Sequence, residues 1–365
     1  MRLFQLLSSP DKSLNLSLFK WSTLLAEARY MSMLGQLKPL LVKAHVWHKL
    51  PLKVQQTIES DFCVYANQRR LLSQESERLS SLLKGLNVDH VYLKGAAYQL
   101  AGYPEFDGRL MADIDLLVSR DSLPKVEAEL LKSGWIFTKT NDYDEKFYRE
   151  WSHEIPPLRH IERGTELDVH FNIMPVILKN SPSPALLQSK ITPLPQLPSA
   201  YMLEPSALAF HSIIHLFFES EYNKGIRDLN DIYMLTKHFD GVDFWQGLIA
   251  LEGEMGNGDC IYWALYFLRK IYSLSPPTYV LEHFDKCAPN KALAAILGWS
   301  FTQVFYQQYP PYRSKLHLVA AAILYWRGHL KRMPLYKLIP HLFVKGWRQF
   351  INKEEMTLED VFRVR

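Results

Sequence analysis

Met111-Ala112-Asp113-Ile114-Asp115-Leu116-Leu117-Val118 is the stretch on which the reading of this chain turns. Its apolar residues, bounded by polar ones, predict a strand. Successive side chains of a strand point to opposite faces, so Asp113 and Asp115 share one face while Ile114 points to the core. Two carboxylates held side by side repel each other unless a cation stands between them, and the pair therefore suits Mg²⁺. An Asp-x-Asp pair also occurs at exposed strand ends and turns, so its neighbours have to decide its meaning.

Downstream, Asp121 or Ser122 is expected to cap a helix with Pro124 in its first turn and Gly134 just past its end. Trp135 to Thr138 reads as a returning strand. Residues 155–161 and 165–171 read as a hairpin with Arg163-Gly164 at the turn. In its second arm Glu166, Asp168 and His170 fall on one face, Leu167 and Val169 on the other. If that arm lies beside the first strand, Asp168 completes a three-carboxylate cluster of the kind that holds two metal ions. Upstream, Val88 to Leu93 predicts a strand entering a turn at Lys94-Gly95, with a short helix over 96–101 ending at Gly102. Gly95 lets the backbone approach a phosphate, and Lys94 adds charge; on its own, Lys-Gly is an ordinary turn.

Four regions follow from the change of texture along the chain. Residues 1–86 predict an N-terminal helical segment, with leucines, Phe and Met three and four apart from residue 15 onward. Residues 87–178 predict the α/β core, and 179–200 a Pro-rich linker carrying five prolines between Ser181 and Pro198. Residues 201–365 predict a helical domain with a basic tail. The expected fold class is α+β: a small mixed sheet flanked by an N-terminal helical segment and a C-terminal all-α domain.

The 365 residues are 48% apolar and 22% charged, which excludes a disordered or collagen-like chain. The best apolar run, Leu316 to Trp326, is about half the roughly 18 residues a membrane span needs. Residues 1–14 lack the features of a signal peptide. Cys63, Cys260 and Cys287 are odd in number and far apart, which suits a reducing cytosol rather than a disulfide framework or a Cys-based zinc site. A soluble, cytoplasmic protein without a transmembrane segment is expected. Net charge is +4, yet Arg313 to Lys353 holds nine Lys/Arg and no Asp or Glu. That segment, with Trp326, Tyr336, Phe343 and Trp347, is either a helical subdomain with a solvated basic face or a surface for nucleic acid or an anionic membrane.

Taken together, Leu93-Lys94-Gly95, Arg109, Asp113 to Val118, a helix ending at Gly134 and Glu166-Leu167-Asp168-Val169-His170 resemble one family. It is the poorly characterised bacterial nucleotidyltransferase family of the DNA polymerase β superfamily. The likeness covers roughly residues 66–175 and extends more faintly to about 255, through His215, Leu229-Asn230-Asp231-Ile232 and Asp243-Phe244-Trp245. The resemblance implies a small mixed sheet with helices on one side and a helical domain closing over a nucleoside triphosphate. It implies Mg²⁺ or Mn²⁺ held by Asp113 and Asp115, with Asp168 joining them at a second metal and helping to activate an acceptor hydroxyl. That oxygen attacks the α-phosphorus and pyrophosphate leaves; the protein contributes positioning and charge neutralisation. Lys94, Gly95 and Arg109 are the implied nucleotide-binding residues. The chain departs from the family pattern at the phosphate turn, where Gly95 is followed by Ala96 and Ala97 in place of Gly-Ser or Gly-Gly. A hydroxyl contact is therefore missing unless Lys94, Tyr98 or Arg109 substitutes.

Several residues have two readings. Arg109 either binds phosphate or braces the carboxylates. His170, and Glu166 with it, either supports the acidic cluster from behind or simply ends a strand. His211 and His215 have ligand-compatible spacing but no third partner, so they read as a helix face turned toward a cleft; Asp231 reads as a brace between helices. His153 and His160 carry less signal. Three functions compete: an active transferase acting on a small molecule, a protein or RNA; a degenerate nucleotide-binding regulator, favoured by the Gly-Ala-Ala turn; and a metal-dependent phosphotransferase or nuclease sharing only the acidic cluster.

Overall fold

The computed structural model describes residues 1–138, 147–194, 196–197 and 199–340. Pro195, Pro198 and the end of the basic segment, with Phe343 and Trp347, lie outside them.

Among the described residues the strands are β1 (His90–Tyr92), β2 (Ile114–Val118), β3 (Trp135–Phe137), β4 (Leu158–His160), β5 (Glu166–His170), β6 (Ile191–Pro193) and β7 (Ala200–Leu203). They form one mixed sheet in the order β3-β4-β5-β2-β1-β7-β6. Strand β2 is central and every residue of it is buried, which is why it reads as an almost unbroken apolar run. It runs antiparallel to β1 and parallel to β5, with Ile114 opposite Leu167, Asp115 opposite Asp168 and Leu117 opposite His170. Residues 155–171 form the expected hairpin, β4 antiparallel to β5. Strand β2 begins at Ile114, so Asp113, expected within the strand, stands in a bend at its entrance.

The helices before the sheet are α1 (Leu3–Ser8), α2 (Leu18–Tyr30), α3 (Leu37–Lys43) and α4 (Leu52–Gly85). The long α4 lies against β1: Ser80 Oγ meets His90 Nε2 at 2.9 Å, and Tyr92 Oη donates to Ser76 O at 3.2 Å. Its Glu75 receives both Nε and Nη2 of Arg163 at 2.7 Å, pinning the β4–β5 turn. Within the core are α5 (Lys94–Leu100) and α6 (Leu123–Lys132). The latter buries Leu123, Val126 and Leu130, one stripe at helical spacing, and Gly134 follows it at φ +91°. Its entry differs from expectation: the capping oxygen is Ser119 Oγ, which accepts from Ser122 N at 3.3 Å and starts a 3₁₀ turn that runs into the helix.

The stretch expected as a Pro-rich linker carries α7 (Pro184–Gln188) and strand β6, and the residues just after it form β7, parallel to β1. Short strands broken by prolines are tolerated at a sheet edge, where half the backbone groups need no ladder partner. Then come α8 (Pro205–Phe218), α9 (Gly225–His238), α10 (Val242–Met255), α11 (Gly258–Tyr272), α12 (Thr278–Asp285), α13 (Lys291–Tyr306) and α14 (Lys315–Arg332). Almost all of α8 is buried, and α9, α10, α11 and α14 pack around it. Sheet plus helical layers make this an α+β fold. No helix among the described residues is long and apolar enough to cross a membrane.

Candidate functional site

Asp115 is the polar exception in an apolar strand. Burying a lone carboxylate costs several kcal/mol, on the order of what two or three buried aliphatic side chains contribute, so it needs partners. Two converge on its Oδ1: Lys94 Nζ at 2.6 Å and His170 Nε2 at 3.1 Å. Burial would raise this carboxyl, but the Lys94 ammonium and the His170 hydrogen bond outweigh it and hold the group well below the usual carboxylate range. Lys94 reaches it because β1 ends there: Leu93 N donates to Asp115 O at 3.0 Å, and Lys94, at φ +44°, turns the chain into α5.

The parallel register sets Asp168 directly across from Asp115. Burial, then the charges of Glu154, Asp113 and Asp115, push its carboxyl up to about 7. Asp113 is also raised, by burial and by Asp115, against the opposing pull of Lys94 and Arg227. Asp113, Asp115, Asp168 and Glu154 thus outnumber the Lys94 ammonium, the Arg227 guanidinium and the His170 ring that act on them, an excess of negative charge that a divalent cation fits.

Glu166 is not among them. Although it shares a strand face with Asp168, it is exposed at the start of β5, opposite Arg159, and lines a depression with Met111, Asp113 and Arg163. The carboxylate that acts on Asp168 instead is Glu154, brought in by an isolated bridge between Glu154 and His170. Among the described residues the His/Asp/Glu group with all its ligand atoms within 4.8 Å of one another is His153, Glu154 and His170, not the three aspartates. In the sequence His153 carries little signal and Glu154 none. The adjacent His-Glu pair just before the hairpin was the available signal, but nothing in its spacing announces the bridge.

Arg109 is buried, and Asp231 of α9 occupies it: Nε and Nη2 reach Oδ2 at 2.7 and 2.6 Å. Its Nη1 lies against Gly95, where a Cβ would collide with it. Arg109 thus holds the Gly95 turn and α9 and does not brace the aspartates Asp113 and Asp115. Gly95 itself is buried, with no side chain because Arg109 fills that space. Tyr98 Oη and Ser212 Oγ, 2.6 Å apart, tie α5 to α8.

Next to this cluster opens a cavity of about 250 Å³ lined by Lys94, His153, Glu154, His211, His215 and Arg332, among others. The face of α8 that carries both histidines is thus turned into a cleft. Burial lowers His211 to about 3, so it is a neutral imidazole at pH 7. Within the basic segment, several cations have partners inside the fold: Arg327 and Lys331 reach Asp259 at 3.3 and 2.7 Å, Arg332 reaches Glu219 at 2.7 Å, and Lys337 stands over Trp151.

Comparison with curated proteins finds no match. Residues 17–273 of the 365 match the family described as uncharacterised nucleotidyltransferase, a span that takes in the sheet, both aspartate strands and the helices over them; the chain belongs to that family.

Proposed function

We propose that this chain is an active, metal-dependent nucleotidyltransferase of the polymerase-β type, moving a nucleoside monophosphate from a nucleoside triphosphate to an acceptor hydroxyl with release of pyrophosphate. The observation that carries the reading is the register of β2 and β5, with Asp168 across from Asp115 and Asp113 two residues upstream. Asp113, Asp115 and Asp168 would hold Mg²⁺ or Mn²⁺, and the excess of negative charge around them supports that fit. When bound, the metal supplies charge neutralisation for the triphosphate. Lys94 and His170 fix the orientation of Asp115. Asp168, across from Asp115, helps to activate the acceptor hydroxyl in this reading. Arg109 keeps the Gly95 turn in place through Asp231. The acceptor is a small molecule, a protein or RNA, and Arg313 and Lys315, exposed in the described part of the basic segment, favour an anionic one.

One observation favours the regulatory reading: Lys94 and Arg109, the cations nearest the phosphate turn, are both held by carboxylates. The two readings separate in a labelling assay with each α-³²P nucleoside triphosphate, Mg²⁺ or Mn²⁺, and separated RNA, protein and small-molecule fractions. Transfer by the wild type and not by Asp113→Asn/Asp115→Asn is expected. Nucleotide binding with no transfer to any fraction makes the chain a regulator, and labelled nucleoside diphosphate formed without pyrophosphate makes it a phosphotransferase.

A further inference from the structure

We propose that His153, Glu154 and His170 form a second metal site, which takes a divalent transition-metal ion and is separate from the aspartate cluster. Their ligand atoms lie within 4.8 Å of one another. The Nδ1 atoms of His170 and His153 are both buried and accept no hydrogen bond from the protein. His170 is 1% exposed, so its Nδ1 has no access to bulk water as a partner. A buried, unpartnered ring nitrogen costs free energy unless something occupies its lone pair.

The geometry points to an ion rather than a hydrogen bond. His170 Nδ1 and Glu154 Oε2 stand 3.6 Å apart, too far for a hydrogen bond. Two metal bonds of about 2.0–2.1 Å at a tetrahedral angle separate their donor atoms by roughly 3.4 Å, so the spacing needs only a few tenths of an ångström of adjustment. The other nitrogen of the same ring, Nε2, is hydrogen-bonded to Asp115 at 3.1 Å. A carboxylate behind a ligating histidine is the usual arrangement that fixes the ring and raises its basicity. The backbone is set as well: Ile155 N donates to Val169 O at 3.0 Å and Phe171 N to His153 O at 2.8 Å, holding the 153–154 segment against the end of β5.

Donor chemistry selects the ion. Two imidazoles and one carboxylate suit Zn²⁺, Mn²⁺ or a similar ion, whereas Mg²⁺ prefers oxygen ligands. His153 and Glu154 also line the cavity of about 250 Å³, which leaves coordination positions open to water or to a substrate oxygen, as in sites that do chemistry rather than hold a fold. Through His170 and Asp115 this site would be one hydrogen bond away from the aspartates.

Co²⁺ tests the assignment without any nucleotide. Metal-stripped full-length protein is titrated with Co²⁺ while the visible d–d bands of a nitrogen-ligated, low-symmetry site are followed. One equivalent bound with such bands is expected. Affinity should fall about 10-fold or more in His153→Gln and in Glu154→Gln and be unchanged in Asp113→Asn, with circular dichroism confirming that each variant is folded. No bands in the wild type, or bands that survive both His153→Gln and Glu154→Gln, overturn the proposal. Loss of the bands in Asp113→Asn as well assigns the ion to a single shared site and overturns it equally. Failure of nucleotidyl transfer leaves this test unaffected, because it reads metal binding alone.

Discussion

The Asp168 carboxyl, raised from 3.8 to about 7 by burial and by Glu154, Asp113 and Asp115, links stability to pH in the direction opposite to a salt-bridged aspartate. A group whose folded value lies above its unfolded one adds stability at low pH and loses it as pH climbs through the folded value. Metal-free protein should therefore weaken between about pH 4 and pH 7, and Asp168→Asn should escape that loss. Its advantage over the wild type, measured by urea unfolding in chelator, is expected to grow by ~1–2 kcal/mol across that window, less than the full shift because the site is partly screened. An advantage that shrinks with pH would contradict the crowding of carboxylates around Asp168. Lys94 has the complementary role. Lys94→Met leaves Asp115 buried with His170 alone and should cost ~3–5 kcal/mol, whereas the double variant Lys94→Met/Asp115→Asn should recover most of it. A double-mutant cycle measures the coupling, and additive costs would mean the pair is not a unit. At this scale the alternation of Glu166-Leu167-Asp168-Val169-His170 makes Asp168 and His170 legible in the sequence as residues of one face, because a strand leaves only two faces. Glu154 was not legible: its place depends on one bridge to His170 made across the sheet.

At the scale of elements, α5 shows how a helix of ordinary sequence is fixed by what surrounds it. Gly95 faces Arg109, Gln99 Nε2 donates to Arg109 O at 2.7 Å, and Tyr98 reaches Ser212. In Gly95→Ala the added methyl meets the Arg109 guanidinium, so either the helix or the Arg109–Asp231 pair has to shift. Overpacking of this kind costs ~1–3 kcal/mol. The expected outcome is a lower melting temperature together with reduced nucleotide affinity in equilibrium binding; unchanged values of both would show that the turn has slack. The glycine was visible in the sequence as a backbone that can come close to something, and its neighbour proved to be a guanidinium of the same chain. The α6 stripe and Gly134 were equally visible, since they rest on local chemistry. Strands β6 and β7 were not: three or four residues among prolines carry too little periodicity to stand out, and the parallel partner β1 lies about a hundred residues away.

In the whole molecule, β7 leads straight into α8, so the sheet and the helical layers share a continuous element, and buried polar contacts cross between them. Arg109 joins the core to α9, and Tyr98 joins α5 to α8. Such sharing predicts one cooperative unit rather than a core and a helical domain that open separately. Hydrogen exchange read by mass spectrometry should then give the same opening free energy for peptides from β2 and β5 as for peptides from α8 and α11. Asp231→Ala makes the sharper comparison. It leaves the Arg109 guanidinium buried without its partner, which should cost ~3–5 kcal/mol. In a single unit that loss appears equally in the strand peptides and in the helix peptides. If only the helical peptides lose protection, the sheet stands on its own, and the helical layers are free to move over the site when a nucleotide binds.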